Sequence, residues 1–233
     1  MIRERIEAAE NVIQEACRRT GRRREEVTLI AVSKTNPVER IREAYDCGLR
    51  DFGENKVKEM LGKEPRLPED IRWHLIGHLQ TNKVKTVLEK TVLIHSIDSM
   101  KLSDMIDFEA RKKRIIVEGL LEVNVAREES KFGFLPEELL PLLSRLSQYR
   151  NLKIRGLMTV APIVGDAEEN RGVFRRLRDL SIDIKSKSTD NIDTSVLSMG
   201  MTGDYRVAVE EGATLVRVGT GIFGEREIGE ERQ

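Results

Sequence analysis

The chain has 233 residues, beyond the usual size of one globular domain but close to the roughly 250 of a closed β/α barrel. Hydrophobic residues make up 39% and charged residues 34%, and 40 basic side chains balance 40 acidic ones, which argues against wholesale nucleic-acid binding and for a solvated shell around an ordinary core. The two cysteines, Cys17 and Cys47, form no metal-type spacing, no apolar run reaches the ~18 residues of a membrane span, and the N-terminus lacks the apolar core of a signal peptide, so a cytoplasmic protein with free thiols and no membrane or nucleic-acid partner is expected.

Ile2, Ile6, Ala9, Ile13 and Ala16 recur at helical spacing and predict an amphipathic helix over residues 1–21, ended by Gly21. The basic stretch from Arg18 to Arg24 runs straight into Glu25 and Glu26 and reads as a solvated helix end plus loop. Val27 to Ser33 is apolar without two-residue alternation, the pattern of a parallel strand buried on both faces. Pro37 then opens a helix carrying Ile41, Ala44 and Tyr45 that stops at Gly48. Further strands are predicted at 51–54, 72–77, 92–97, 115–125, 153–159, 193–197 and 214–218, making eight with the first. The clearest later helices fall at 101–113, 136–149, 168–185 and 204–211. This alternation predicts an α/β protein: one domain over 1–233, built as a (β/α)8 barrel with an extra N-terminal helix, with a doubly wound open sheet as the alternative. Residues 185–191 read as a polar loop and 225–233 as a charged tail.

In a parallel barrel the site lies at the C-terminal ends of the strands, and those places are chemically loaded. The first apolar run ends in Lys34, the second in Asn55, the third in His78, and the fourth in Ser96 and Asp98. Met158 lies near the end of the sixth, Ser198 closes the seventh, and Arg217 interrupts the eighth. A lysine at the barrel mouth is either a strand cap in water or, if partly desolvated, an amine suited to Schiff-base formation with an aldehyde. Two glycine-rich turns, Ser198 to Gly203 and Val218 to Gly221, follow strands seven and eight, where barrels commonly bind phosphate. Arg217 stands between Val216 and Val218, so an internal carboxylate or a ligand atom must accept its hydrogen bonds.

His74 and His78, four apart, would chelate a metal on a helix but stand about 13 Å apart along a strand, so no metal site is expected. His74 beside Trp73 and His95 beside Ile94 read instead as packed histidines. A Ser-His-Asp hydrolase is excluded for want of a GxSxG elbow.

Several stretches resemble the pyridoxal phosphate homeostasis proteins, once described as homologues of a gene co-transcribed with proline synthetase. The carriers are Ala31-Val32-Ser33-Lys34, Gly53-Glu54-Asn55, and Trp73 to Gly77 running on through Leu79-Gln80 to Asn82-Lys83. Ser130-Lys131-Phe132-Gly133, Gly156-Leu157-Met158, Leu197 to Met201 and Val216 to Thr220 follow in order, so the resemblance spans nearly the whole chain. That family is similar to the barrel half of alanine racemase, a fold-type III pyridoxal phosphate enzyme. The resemblance implies that Lys34 carries pyridoxal 5′-phosphate as a Schiff base and that Arg217 faces the pyridine nitrogen, keeping it unprotonated. It implies further that Ser198, Gly219 and Thr220 hold the phosphate, with Asn55 near the cofactor edge and Met158 against the ring. His78 falls where the family pattern is open and receives no role.

Two functions follow as alternatives. The resemblance implies a monomeric carrier that keeps free pyridoxal phosphate low and delivers it to apo-enzymes. The other is an amino acid racemase, which needs an acid/base group on each face of its substrate. Lys34 supplies one face, and Tyr205 is the candidate for the second, because Tyr45 and Tyr149 lie in helical segments away from strand ends. The carrier is the favoured expectation.

Overall fold

In the computed structural model, which describes residues 1–187 and 191–225, the apolar runs pair side by side in chain order. The strands are β1 (Thr28–Val32), β2 (Asp51–Glu54), β3 (Arg72–Leu75), β4 (Leu93–Ile97), β5 (Val117–Glu122), β6 (Leu152–Met158), β7 (Ile192–Met201) and β8 (Leu215–Val218). Every neighbouring pair is parallel, and β8 returns to β1 with Ile30 opposite Arg217, so the sheet is a closed (β/α)8 barrel and the open-sheet alternative falls. The helices between the strands include α2 (Val38–Asp46), α3 (Val57–Lys63), α4 (Val84–Val87), α5 (Met100–Lys113), α6 (Pro136–Leu146), α7 (Arg171–Lys187), α8 (Tyr205–Glu210) and α9 (Thr220–Phe223). Ahead of them, α1 (Ile2–Arg19) lays its buried Ile2, Ile6, Ala9, Ile13 and Ala16 against the barrel's helical shell, chiefly α8 and α9.

Strand alternation splits the core in two. Leu29 and Ala31 of β1, with Val216 and Val218 of β8, pack outward under the helices. Ile30, Leu93, Leu120, Met158 and Leu215 meet instead inside the barrel. Part of the interior is therefore apolar, and part is polar, as described below.

Several predicted boundaries move. The stretch Ser198 to Met201, expected as a turn, belongs to β7, which reaches Met201 through a shift of register against β8. Gly200 makes the shift possible: it sits at φ +90°, and a Cβ there would lie 2.5 Å from that of Ala208. The polar loop expected at 185–191 is helical through Lys187, because α7 buries Ile184 on its inner face; residues 188–190 lie outside the described residues. Of the tail expected at 225–233, all but Glu225 lie outside them as well. Helices α3, α4 and α9 were not predicted, being at most seven residues long and too short to display a helical period.

Gly156 leaves no room for a side chain between β6 and β7: an added Cβ would lie 1.8 Å from the Val196 carbonyl oxygen. Gly156→Ala should therefore push β6 off β7 and cost about 3 kcal/mol or more, read as a fall in the urea midpoint. Gly165→Ala, which meets nothing within 4 Å, should leave the midpoint within about 0.5 kcal/mol of the parent.

Candidate functional site

Closure of the barrel sets the loop after β1 beside the loop after β8. Between them lies a cleft of about 490 Å³ lined by Lys34, Asn36 and Arg40 on one side and Gly219, Thr220 and Phe223 on the other, with Val32 beneath. Lys34 is half-buried. The loop after β7 joins from behind: the Thr202 hydroxyl accepts the N–H groups of Gly219 and Gly221, both at 3.2 Å. Asp204 steadies that loop, accepting from Met201 N–H at 2.7 Å and from the Asn170 amide at 2.8 Å. The two glycine-rich turns singled out in the sequence are thus one structure, with Thr202 as the link.

Arg217 lies fully inside the barrel below this cleft. It donates to Ser198 Oγ at 2.5 Å and to the Thr159 carbonyl at 2.8 Å. Ser198 Oγ meets His95 Nδ1 at 2.8 Å, His95 Nε2 meets His74 Nδ1 at 2.9 Å, and His74 Nε2 meets Asp51 Oδ1 at 3.0 Å. Arg72, more exposed at the foot of β3, donates Nε to Asp51 at 2.8 Å. A guanidinium can only donate and a carboxylate can only accept, so one arrangement uses every group in the chain. Arg217 donates to Ser198, Ser198 to neutral His95, His95 to His74, and His74 to Asp51. Burial works against the charge on Asp51, yet the hydrogen bonds from His74 and Arg72 hold its carboxyl down at about 2. Burial above all, with the charge of Arg217, keeps His95 well below the ordinary histidine range and therefore neutral. Burial lowers Arg217 to about 10 against the support of Glu122 and Asp204, which leaves it charged at neutral pH.

His74 and His95 are buried, as expected of packed histidines, but on the opposite face of their strands from Trp73 and Ile94. Alternation turns Trp73 and Ile94 outward and both imidazoles inward, a parity the sequence already carried. Of the candidate residues, the structure brings Lys34, Gly219 and Thr220 together on the cleft. Ser198 is fully buried and spends its hydroxyl on Arg217 and His95, one layer below the glycine turn. Met158 is buried in the interior apolar plug. Asn55 stands half-buried at the end of β2, packed so closely on Gly77 that a Cβ there would lie 2.4 Å from the Asn55 carbonyl oxygen. Tyr205 packs on the core from the start of α8, and burial raises its phenol above the ordinary range.

A second polar group rims the mouth. His78 Nδ1 lies 2.7 Å from Asp98 Oδ2, and its ring stacks on Phe132 with 3.9 Å between centroids. Glu122, at the end of β5, is pushed up to about 7 by burial and by the charge of Asp98, against the pull of Arg217 and Lys131. No sequence signal marked it, since its pKa depends on neighbours from other strands.

Closed parallel barrel, lysine after the first strand and glycine turn after the last together define a class, and the family described as alanine racemase, N-terminal domain, matches residues 7–227. Among solved structures, PipY of Synechococcus elongatus without PLP superposes with a TM-score of 0.86 at 37% identity, covering 96% of this chain and all of that one. The same protein with PLP bound gives 0.83 at 36%. An alanine racemase of Clostridium difficile shares the fold at 11% identity and TM-score 0.72, with this chain spanning 58% of its length. The pyridoxal phosphate homeostasis protein of Aquifex aeolicus is 46% identical over 224 residues, 96% of this chain and 97% of that protein, and its Pseudomonas aeruginosa counterpart is 39% identical over 218. The chain belongs to the pyridoxal phosphate homeostasis protein family.

The raised Glu122 carboxyl makes stability depend on pH. Its ordinary value is 4.5, so between there and about 7 the folded chain keeps a proton that the unfolded chain has lost. The contribution is full below the lower value and is lost as pH rises through the upper one, on the order of 2 kcal/mol after discounting for solvent. Glu122→Gln should remove this slope: melting temperatures of variant and parent should agree near pH ~4.5 and diverge in the variant's favour near pH ~8.

Proposed function

We propose that the protein binds pyridoxal 5′-phosphate covalently through Lys34 and acts as a cytoplasmic carrier, holding the reactive cofactor until it passes to apo-enzymes. The observation that carries this reading is the shared cleft of Lys34, Gly219 and Thr220. The residues present fit the group. The N–H groups of Gly219 and Gly221 point at one oxygen, that of Thr202, whose place a phosphate oxygen would take. Lys34 offers the amine and the exposed Thr220 a further hydroxyl. When bound, the cofactor supplies an aldehyde that condenses with a primary amine and a ring that can accept electrons.

The chain's own residues do the rest. Gly219 and Thr220 would hold the anion, and Lys34 would supply the amine for the aldehyde. Arg217 presents a positive charge from the interior, which would disfavour a proton on the cofactor's ring nitrogen and weaken the ring as an electron sink. Ser198 serves through Arg217, by accepting its N–H, in place of the phosphate contact expected from the resemblance. Asn55 and Met158 remain proposed for the cofactor's edge and face. The residues 1–233 act as one monomeric domain, without nucleic acid or membrane; among the described residues no helix is long and apolar enough to cross a bilayer.

Support for a carrier over a racemase comes from Tyr205. Two-base chemistry needs a proton donor opposite Lys34, and this phenol is packed against the core with its pKa raised by burial.

After incubation with pyridoxal phosphate and borohydride reduction, peptide mass spectrometry should find the pyridoxyl group on Lys34, and Lys34→Ala should lose it while keeping its melting temperature. An adduct confined to another lysine, such as Lys131, would overturn the assignment. The loaded protein should also activate an apo pyridoxal-phosphate enzyme on mixing, while alanine incubated with it in heavy water keeps its α-proton by NMR. Fast exchange that depends on Lys34 would make the racemase the better reading.

A further inference from the structure

We infer that Lys63 and Glu59 are positioning residues for Lys34, an inference that rests on the reading of Lys34 as the cofactor lysine. Lys63 closes α3, and the fold turns its ammonium inward under the end of β1. An ammonium has three N–H donors, and all three are used. One goes to the Ser33 carbonyl at 2.9 Å, one to Glu54 Oε1 at 2.7 Å, and one to Glu59 Oε1 at 2.6 Å. Ser33 immediately precedes Lys34. Glu59 Oε1 also accepts the N–H of Thr35, the residue immediately after, at 2.5 Å. The backbone on both sides of Lys34 is therefore fastened to one buried cation.

Two features show that the fastening acts on the lysine's own turn. Thr35 sits at φ +63°, in the left-handed region that a β-branched residue avoids, and such a conformation persists only where its surroundings hold it. Its N–H is held by Glu59. Ser33 is tied twice, by its carbonyl to Lys63 and by its hydroxyl to Glu54 Oε1 at 2.6 Å. Glu54 is fully buried, and its other oxygen has no hydrogen-bond partner among the described residues. Burial raises the Glu54 carboxyl while Lys63 and Ser33 draw it down, so the cation also sustains the charge of the group that holds Ser33. A lysine on a turn fixed in this way loses less freedom on bonding to an aldehyde than one on a mobile loop.

The test uses the full chain and cuts the network at its more exposed end. Glu59→Ala removes the tie to Thr35 and leaves the Lys63–Glu54 pair in place, whereas Glu59→Gln keeps an oxygen to accept from Thr35. Affinity is measured by equilibrium dialysis with pyridoxal phosphate and with pyridoxamine phosphate, which has the same ring and phosphate but no aldehyde. Glu59→Ala should weaken pyridoxal phosphate roughly tenfold, about 1.4 kcal/mol, leave pyridoxamine phosphate unchanged, and regain most of the loss as Glu59→Gln. Without any cofactor, NMR hydrogen exchange at the Thr35 amide should quicken at least about tenfold in Glu59→Ala. Lys63→Met should do more of both; where it fails to fold, the Glu59 pair decides.

A purely structural role would weaken both ligands alike, and that result overturns the inference. So does unchanged Thr35 exchange with an unchanged ratio of affinities. Failure of the underlying functional reading looks different: the parent protein itself would carry no reducible adduct on Lys34, while the exchange at Thr35 would still respond.

Discussion

A guanidinium enclosed in a closed barrel cannot be left to itself, and most of this architecture follows from how Arg217 is satisfied. An unpaired buried cation costs several kcal/mol, far more than any single apolar contact in the interior repays. Here Glu122 and Asp204 support the charge, and the guanidinium's hydrogen bonding runs through three side chains, Ser198, His95 and His74, to end on Asp51. The chain of hydrogen bonds runs from just below the glycine turn of β8 to the first residue of β2, the length of the barrel. It passes through β7, β4 and β3 on the way, so loss of register in any of them would strand a buried donor or acceptor.

This interior also gives the mouth a firm floor. Arg217 stands two residues before Gly219 of the cleft, with Ile30 opposite it on β1, and Ser198, opposite Met158 on β6, accepts its hydrogen bond. Above it the loops divide the work by strand position. β1 and β8, which meet only when the sheet closes, bring the lysine and the glycine turn together, and Thr202 couples that turn to β7. The Lys63 network takes up the first of these loops from the outside. Reactive groups that depend on geometry are thus carried on short, tied segments instead of mobile ones.

The similarity to alanine racemase covers the barrel and little else, since this chain matches 58% of that protein. What the two share is the fold; in this chain the barrel places a lysine after β1, a glycine turn after β8 and an arginine in the interior. Proton transfer on two faces of a substrate asks for more. The rim of this barrel answers with His78, Asp98 and Glu122, and Tyr205 is turned into packing.

Lys34, Arg217 and the two glycine turns were legible in the sequence because each breaks a local pattern: a lysine ends an apolar run, an arginine interrupts one, and paired glycines follow strands. The eight strands and the main helices were legible for the same reason, as periods and punctuation that act over a few residues. The length of β7 was not, because Gly200 turns what reads as a loop into a bulged strand. The partners of Arg217 were out of reach as well. His74 and His95 show their inward parity in sequence, but that they touch each other, and that Ser198 faces His95 and not the cleft, depends on strands separated by scores of residues. The same holds for Lys63, an unremarked residue at the end of a short helix until the fold sets it under Ser33 and beside Glu59. Local sequence determines which segments are strands and which residues are chemically unusual, since those depend on neighbours along the chain. Which donor meets which acceptor is decided by barrel closure and register, because hydrogen bonds act over about 3 Å in space whatever the distance along the chain.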